Sequence, residues 1–331
     1  MRRDYRAACF GLLAAGLLAG GAARAQQSAA GQQNAAAELH VLKVQGNVYM
    51  LVGAGGNITL QIGNEGVLLV DTGLVQNADK VLEEIRKLSN KPIRYIINTH
   101  VHADHIGGNE KIAKAGKTIA GGNVAGNIED AGEGAAVVAH QAVLDRMSAP
   151  PAANQPKIPF AAFPTDTYIT PEKHMFFNGE GIEVIHIPTA HTDGDSFVYF
   201  RRSDVVSAGD IFTPANYPVI DLQRDGGIQG VIAGLNRLIA MTIPAEKQEG
   251  GTYVIPGHGR LCDQADVVEY RDMATIIRDR IQDMIKKGMT LEQVKAAKPT
   301  RDYDPEYGST TGFWTTDMFV EAVFKSLSGR K

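Results

Sequence analysis

The chain has 331 residues, 44 % of them apolar, and a net charge of −4. That is enough to bury its own core, and without a basic surplus or a Lys/Arg cluster it excludes a broad nucleic-acid binder. Two cysteines, Cys9 and Cys262, exclude a disulfide framework.

Arg2, Arg3 and Arg6 form a basic start, Ala7 to Ala22 is apolar, and Ala23-Arg24-Ala25 is a small-x-small cleavage site. Residues 1–25 therefore read as a signal peptide. The apolar run is short and diluted with glycine, which argues against a membrane anchor. The expected location is the periplasm or the medium, after cleavage near Ala25. Arg2-Arg3 leaves twin-arginine export open beside the general secretory route. Residues 1–25 hold a net +3 of the total, so the remainder sits at −7 with Cys262 as its one cysteine. Residues 26–38 are rich in Gln, Ala and Gly and read as a flexible linker.

Short strands follow at His40–Val44, Val48–Val52, Ile58–Ile62 and Val67–Val70, with turns at Gln45-Gly46-Asn47 and Gly63-Asn64-Glu65-Gly66. Ala78 to Leu88 reads as an amphipathic helix with Val81, Ile85 and Leu88 on one face. The apolar stretch Ile93 to Ile97 reads as a buried strand, and directly after it comes Thr99-His100-Val101-His102-Ala103-Asp104-His105-Ile106-Gly107-Gly108-Asn109. Side chains alternate along a strand, so His100 and His102 point the same way. Asp104 and His105 join them only if the chain turns there into a helix start, which Gly107-Gly108 permits. Imidazole nitrogens with a carboxylate oxygen suit zinc, and also iron or manganese.

Residues 110–175 are the least regular part, with Pro150, Pro151, Pro156, Pro159 and Pro164 making much of it loop. Strands resume at Ile182–Ile187, Ser196–Phe200, Val205–Ser207 and Tyr253–Ile255; residues 228–243 and 264–287 read as helices. Thr290-Leu291-Glu292-Gln293 is a capping box, and Asp317 to Leu327 has Phe319, Val320, Val323 and Phe324 at helical spacing. This tail, with Trp314, reads as a structural cap, not a separate binding module. The expected organisation is a catalytic domain over 39–265 and a helical extension over 266–331 packed on it.

The sequence resembles the metallo-β-lactamase superfamily. Its His-x-His-x-Asp-His signature matches residues 100–105 without a gap. The later motifs follow in order as Ala190-His191-Thr192, Ser207-Ala208-Gly209-Asp210 and Ile255-Pro256-Gly257-His258-Gly259. Upstream, Val67 to Gly73 is similar to the family's strand ending in Asp. Periodicity supports a mixed α/β protein; the resemblance implies an αββα sandwich with ligands on loops along one edge.

The resemblance also implies two divalent metal ions, zinc first, with iron or manganese as alternatives. His100, His102 and His191 match the first site; Asp104, His105 and His258 match the second; Asp210 matches the carboxylate that bridges them. Two such cations about 3.5–4 Å apart share a hydroxide ionised near neutral pH. The implied activity is a dinuclear metallohydrolase attacking an ester, thioester, lactone or related carbonyl of a small-molecule substrate. Asp104 would orient the hydroxide and return a proton to the leaving group. Relatives that open β-lactams usually have Cys or Ser where this chain has Asp210, so a β-lactamase is the alternative reading. A non-catalytic metal-bound binding protein is a second one.

Among the remaining candidates, Tyr217 lies seven residues beyond Asp210 and reads as a phenolic donor to a substrate oxyanion, or as loop packing beside Pro214 and Pro218. Asp71 is expected to orient a ligand histidine. Thr192, Asp193 and Asp195 read as turn-stabilising, and His140 as a strand-end residue. Pocket shape is expected to come mostly from residues 110–175 and 211–227.

Overall fold

The strand Gly66–Val70 shows how the sequence builds the layers. All of Val67, Leu68, Leu69 and Val70 are buried, yet they serve two cores. Leu68 and Val70 join a cluster with Val184, Val198 and Ile255 between two sheets. Val67 and Leu69 join Val81, Leu82 and Ile85 of a covering helix. Period-two alternation on a doubly covered sheet produces this continuous apolar run.

The computed structural model describes residues 38–118, 134–151, 157–248 and 250–329. The expected signal peptide and nearly all of the linker lie outside them. Leu39–Lys331 forms one compact unit. Its first sheet runs in the order β1 (His40–Gln45), β2 (Val48–Val52), β3 (Ile58–Gly63), β4 (Gly66–Val70), β5 (Ile93–Ile97), β6 (Ala136–His140) and β7 (Asp166–Tyr168). Pairing is antiparallel as far as β4 and parallel from there on. The second sheet runs β12 (Tyr253–Pro256), β11 (Val205–Gly209), β10 (Ser196–Phe200), β9 (Glu180–His186) and β8 (Glu172–Phe177), antiparallel except for β11 with β12.

Helices cover both outer faces. α1 (Ala78–Leu88) buries Val81, Leu82 and Ile85 on the first sheet, roughly 1.5–3 kcal/mol for each side chain. The signature run forms the short α2 (Ala103–Ile106), followed by α3 (Asn109–Lys114). α5 (Ile228–Met241) and α6 (Gln264–Lys286) pack on the second sheet. There they share one core with α7 (Leu291–Ala297), α8 (Asp304–Tyr307) and α9 (Thr316–Ser328). The fold is the αββα sandwich with a C-terminal helical region, and that region continues the core of the second sheet.

Residues 110–175 are more regular than their prolines suggest, since they hold β6, β7, most of β8 and the helix α4 (Gln141–Ser148). α4 escapes sequence reading because its N-cap is His140, whose Nδ1 accepts from the Ala142 N–H at 3.3 Å. Histidine is not among the usual capping residues.

Candidate metal centre

The fold gathers the donors because they follow the ends of strands that run the same way. Asp71 comes after β4 and His100 after β5, while His191, Asp210 and His258 come after β9, β11 and β12. The signature run leaves its strand, and α2 begins at Ala103 with His102 as its N-cap. That turn brings Asp104 and His105 toward the same point as His100 and His102.

Two groups of donor atoms result, His100, His102, His191 and Asp210 in one and Asp104, His105 and His258 in the other; within each, the atoms lie within 4.8 Å of one another. Asp210 faces both. Its Oδ2 is 3.9 Å from His100 Nε2 and 3.7 Å from His191 Nε2. Its Oδ1 is 3.1 Å from His105 Nε2 and 3.6 Å from His258 Nε2. Asp104 Oδ2 lies 3.1 Å from His258 Nε2.

Four of the imidazoles have their other nitrogen occupied, which fixes the ring and its tautomer. His105 Nδ1 donates to Asp71 Oδ2 at 2.7 Å. His100 Nδ1 donates to Thr99 Oγ1 at 3.0 Å, and that hydroxyl donates on to Asp71 Oδ2 at 2.7 Å. His191 Nδ1 donates to the Val219 carbonyl at 2.7 Å. His102 is turned the other way. Its Nε2 donates to Asp221 Oδ2 at 2.9 Å, leaving Nδ1 2.8 Å from His191 Nε2.

The residues fit a pair of divalent cations. His100 Nε2 is buried without a hydrogen-bond partner and faces the cluster, 3.9 Å from Asp210 Oδ2. A bound cation satisfies such atoms, which are otherwise costly. Burial disfavours a charged His105, but the carboxylates of Asp210 and Asp71 outweigh it and raise its pKa well above the histidine range. Burial likewise opposes ionisation of Asp210, and His105, His100 and His191 outweigh it to hold that carboxyl well below its ordinary value. The cluster thus draws positive charge to His105 Nε2, where a bound cation would take the place of the proton.

The backbone accommodates this crowding. Asp71 sits at φ 63°, a left-handed conformation that Asp tolerates better than most residues. A Cβ on Gly257 would lie 1.9 Å from Asp210 Oδ1, and one on Gly56 2.4 Å from His105 Cε1. Only glycine permits either approach.

Tyr217 is not brought to the site. It is 1 % exposed, and its hydroxyl donates to Asp304 Oδ1 at 2.9 Å. The oxyanion-donor role expected of it is therefore corrected: its only proton is committed to anchoring the C-terminal region. Pocket shape follows expectation for 211–227 but not for 110–175. The cluster opens into a pocket of about 870 Å³. Its walls come from residues 213–223 and 313–325, with none of the described residues of 110–175 among them.

Asp221 was invisible to sequence reasoning, since a lone carboxylate thirty residues after His191 carries no spacing signal. Burial works against its ionisation, yet His102 and Arg224 hold it well below the carboxylate range. Its Oδ1 also caps the turn at Gln223 and Arg224. Asn has one oxygen and cannot serve both roles. Asp221→Asn is expected to weaken metal affinity by about 10–100-fold, read by competition with a chromogenic chelator. Unchanged affinity would mean that the His102 contact is incidental.

Thr192, Asp193 and Asp195 lie in the loop that carries His191, and Asp195 accepts from the Thr192 N–H at 2.8 Å and hydroxyl at 2.6 Å. His140 and His186 stack away from the cluster, centroids 3.6 Å apart. Burial and the neighbouring His186 push His140 down to about 4, below its ordinary 6.5; burial also lowers His186. Between those values the unfolded chain binds protons that the folded chain does not, so stability falls as pH drops through that window. His140→Asn keeps a cap for α4 and is expected to lose less melting temperature than wild type between about pH 7 and pH 4.5. Parallel losses would remove the pair as the cause.

Comparison with known proteins agrees with this architecture. Residues 51–260 match the model of the metallo-beta-lactamase superfamily, and the chain belongs to that superfamily. A linear primary-alkylsulfatase from Pseudomonas sp. is 26 % identical over 275 residues, which are 73 % of this chain and 50 % of that one. Among solved structures, the stereoselective inverting sec-alkylsulfatase Pisa1 from Pseudomonas sp. superposes with a TM-score of 0.61 at 17 % identity, over 87 % of this chain and 50 % of the other. A metallo-beta-lactamase from Pontibacter korlensis gives 0.52 at 18 % identity, over 72 % and 99 %. The chain spans about half the length of the alkylsulfatases it matches.

Proposed function

We propose that the chain is a two-metal ester hydrolase in which His100, His102 and His191 would hold one cation, Asp104, His105 and His258 would hold another, and Asp210 would serve both. The observation behind this is Asp210 itself, with one oxygen facing each donor group. The chemistry that zinc, iron or manganese would supply there is a water of lowered pKa and Lewis-acid polarisation of the substrate's head. Burial opposes ionisation of Asp104, but the hydrogen bond from His258 outweighs it and keeps its pKa low. Asp104 is thus an acceptor at neutral pH, able to take a proton from attacking water and pass it to the leaving oxygen.

A sulfate ester is the first choice of head group, supported by similarity to the linear primary-alkylsulfatase. The carbonyl of an ester, thioester or lactone is the second. Lys325 is the one Lys or Arg among the described residues lining the pocket, and a neutral head needs none. Export belongs to the proposal through the leader read at residues 1–25; N-terminal sequencing of protein recovered outside the cytoplasm tests it.

The assay pairs metal analysis with a panel of octyl sulfate, p-nitrophenyl butanoate, an acyl-homoserine lactone, an acyl-thioester and nitrocefin. Inorganic sulfate from octyl sulfate supports the first reading. Turnover of the carbonyl substrates alone supports the second. Nitrocefin turnover alone makes the chain a β-lactamase. Two bound metals with no turnover in the panel would overturn the hydrolase reading in favour of a binding protein.

A further inference from the structure

The metal-donor residues share their pocket with the last helix of the chain, and that helix presents two different faces. Phe319, Val320, Val323 and Phe324 of α9 are buried. The Phe319 ring stacks on Tyr217 at 4.6 Å and 4°. Met318, Ala322 and Lys325, at i, i+4 and i+7, fall on a neighbouring stripe and line the pocket with Phe313 and Trp314. Val219, Ile220 and Leu222 line it from the loop beyond Asp210.

The segment is held firmly. Thr315 caps α9 by accepting from the Met318 N–H at 3.3 Å. Thr316 N–H donates to the Ser309 carbonyl at 2.8 Å, and Ser309 N–H returns to Thr316 Oγ1 at 3.1 Å. On this fixed frame Phe313 is 80 % exposed and Met318 43 % exposed. Large apolar side chains left open beside a polar centre mark a surface that a ligand covers.

We propose that the C-terminal region selects the substrate: Phe313, Trp314 and Met318 form an apolar wall against which an alkyl or acyl chain lies while its head reaches the donor cluster. The inference rests on reading this pocket as the site of an ester hydrolase, and it names the substrate class as an ester with an apolar tail. Each methylene laid on the wall tightens binding up to about fourfold, which is about 0.8 kcal/mol per buried CH₂. Met318 to Lys325 spans about 10 Å along the helix, room for a medium-length chain.

Trp314 is the chain's only tryptophan, so its emission reports on the wall without any need for turnover. The metal-loaded full chain is titrated with butanoate, hexanoate, octanoate and decanoate below their micellar concentrations. The expected result is a saturable change in emission, with Kd falling about two- to fourfold per methylene. In Phe313→Ser/Met318→Ser the dependence on chain length flattens, while melting temperature and metal content stay at wild-type values, because both side chains are exposed. A Kd independent of chain length, or the same slope in the double variant, overturns the proposal. Ester turnover with no preference for chain length would likewise remove the wall and leave the hydrolase standing. Length-dependent binding without turnover of any ester would keep the wall and remove the hydrolase.

Discussion

Asp210→Ala is expected to lower turnover by more than about 100-fold, the upper end of what losing a residue behind a metal ligand costs, and to empty the second donor group before the first. One carboxylate faces both donor groups, so its loss takes a candidate ligand from each and leaves Asp104 as the one carboxylate among the donors. The groups are unequal in what remains. His100 and His191 are buried at 1 % side-chain exposure, whereas His258 and Asp104 are 37 % and 35 % exposed. With two of its three donors about a third exposed and only His105 fully buried, the second group is less constrained and depends more on the shared carboxylate. Metal analysis by mass spectrometry alongside the kinetic panel checks this; two metals retained in Asp210→Ala would show that the bridge is not needed.

Asp71→Asn is expected to disturb both groups at once, weakening metal affinity about 10–100-fold and lowering the melting temperature of the metal-free protein. Asp71 never touches the centre. Its Oδ2 accepts from His105 Nδ1 and from Thr99 Oγ1, and its Oδ1 accepts from the Thr99 N–H at 2.8 Å. Through Thr99 the same carboxylate reaches His100, so it orients one ligand of each group. Asn has one oxygen for three donors, and its amide would face at least one N–H or O–H in a site 2 % exposed. Leaving such a donor unpaired costs about 1–3 kcal/mol. Thermal melts with and without chelator separate the two effects. A loss confined to the metal-loaded form would assign Asp71 to the ligands alone; unchanged affinity would contradict the orienting role.

Most strands of the two sheets, the helix at Ala78–Leu88 and the capped start at Thr290 were legible because each is written in local spacing, whereas β6, β7 and β8 were hidden in the proline-rich stretch. Alternation, helical stripes and capping boxes act over a few residues. The seven donor positions were legible for another reason. Four lie in six consecutive positions, and the others sit in short motifs at strand ends. The order of those motifs carried the resemblance that grouped them.

The rest depends on chain brought together from far apart. Asp221 reaches His102 across 119 positions, and no pattern in either segment announces the other. Tyr217 illustrates the limit from the opposite side: its distance from Asp210 along the chain suggested an oxyanion donor. Its hydroxyl is instead committed to Asp304, 87 residues away. Trp314 was read as tail packing, and it does pack against the core of the second sheet, but it also lines the pocket. The sequence by itself determined the local pattern of strands and helices, because residue type and short-range spacing decide it, and its ordered motifs carried the resemblance that implied the layers and the candidate donors. Only the tertiary structure decided which carboxylates hold the imidazoles and which segment walls the pocket, because those depend on where packing places residues a hundred positions apart.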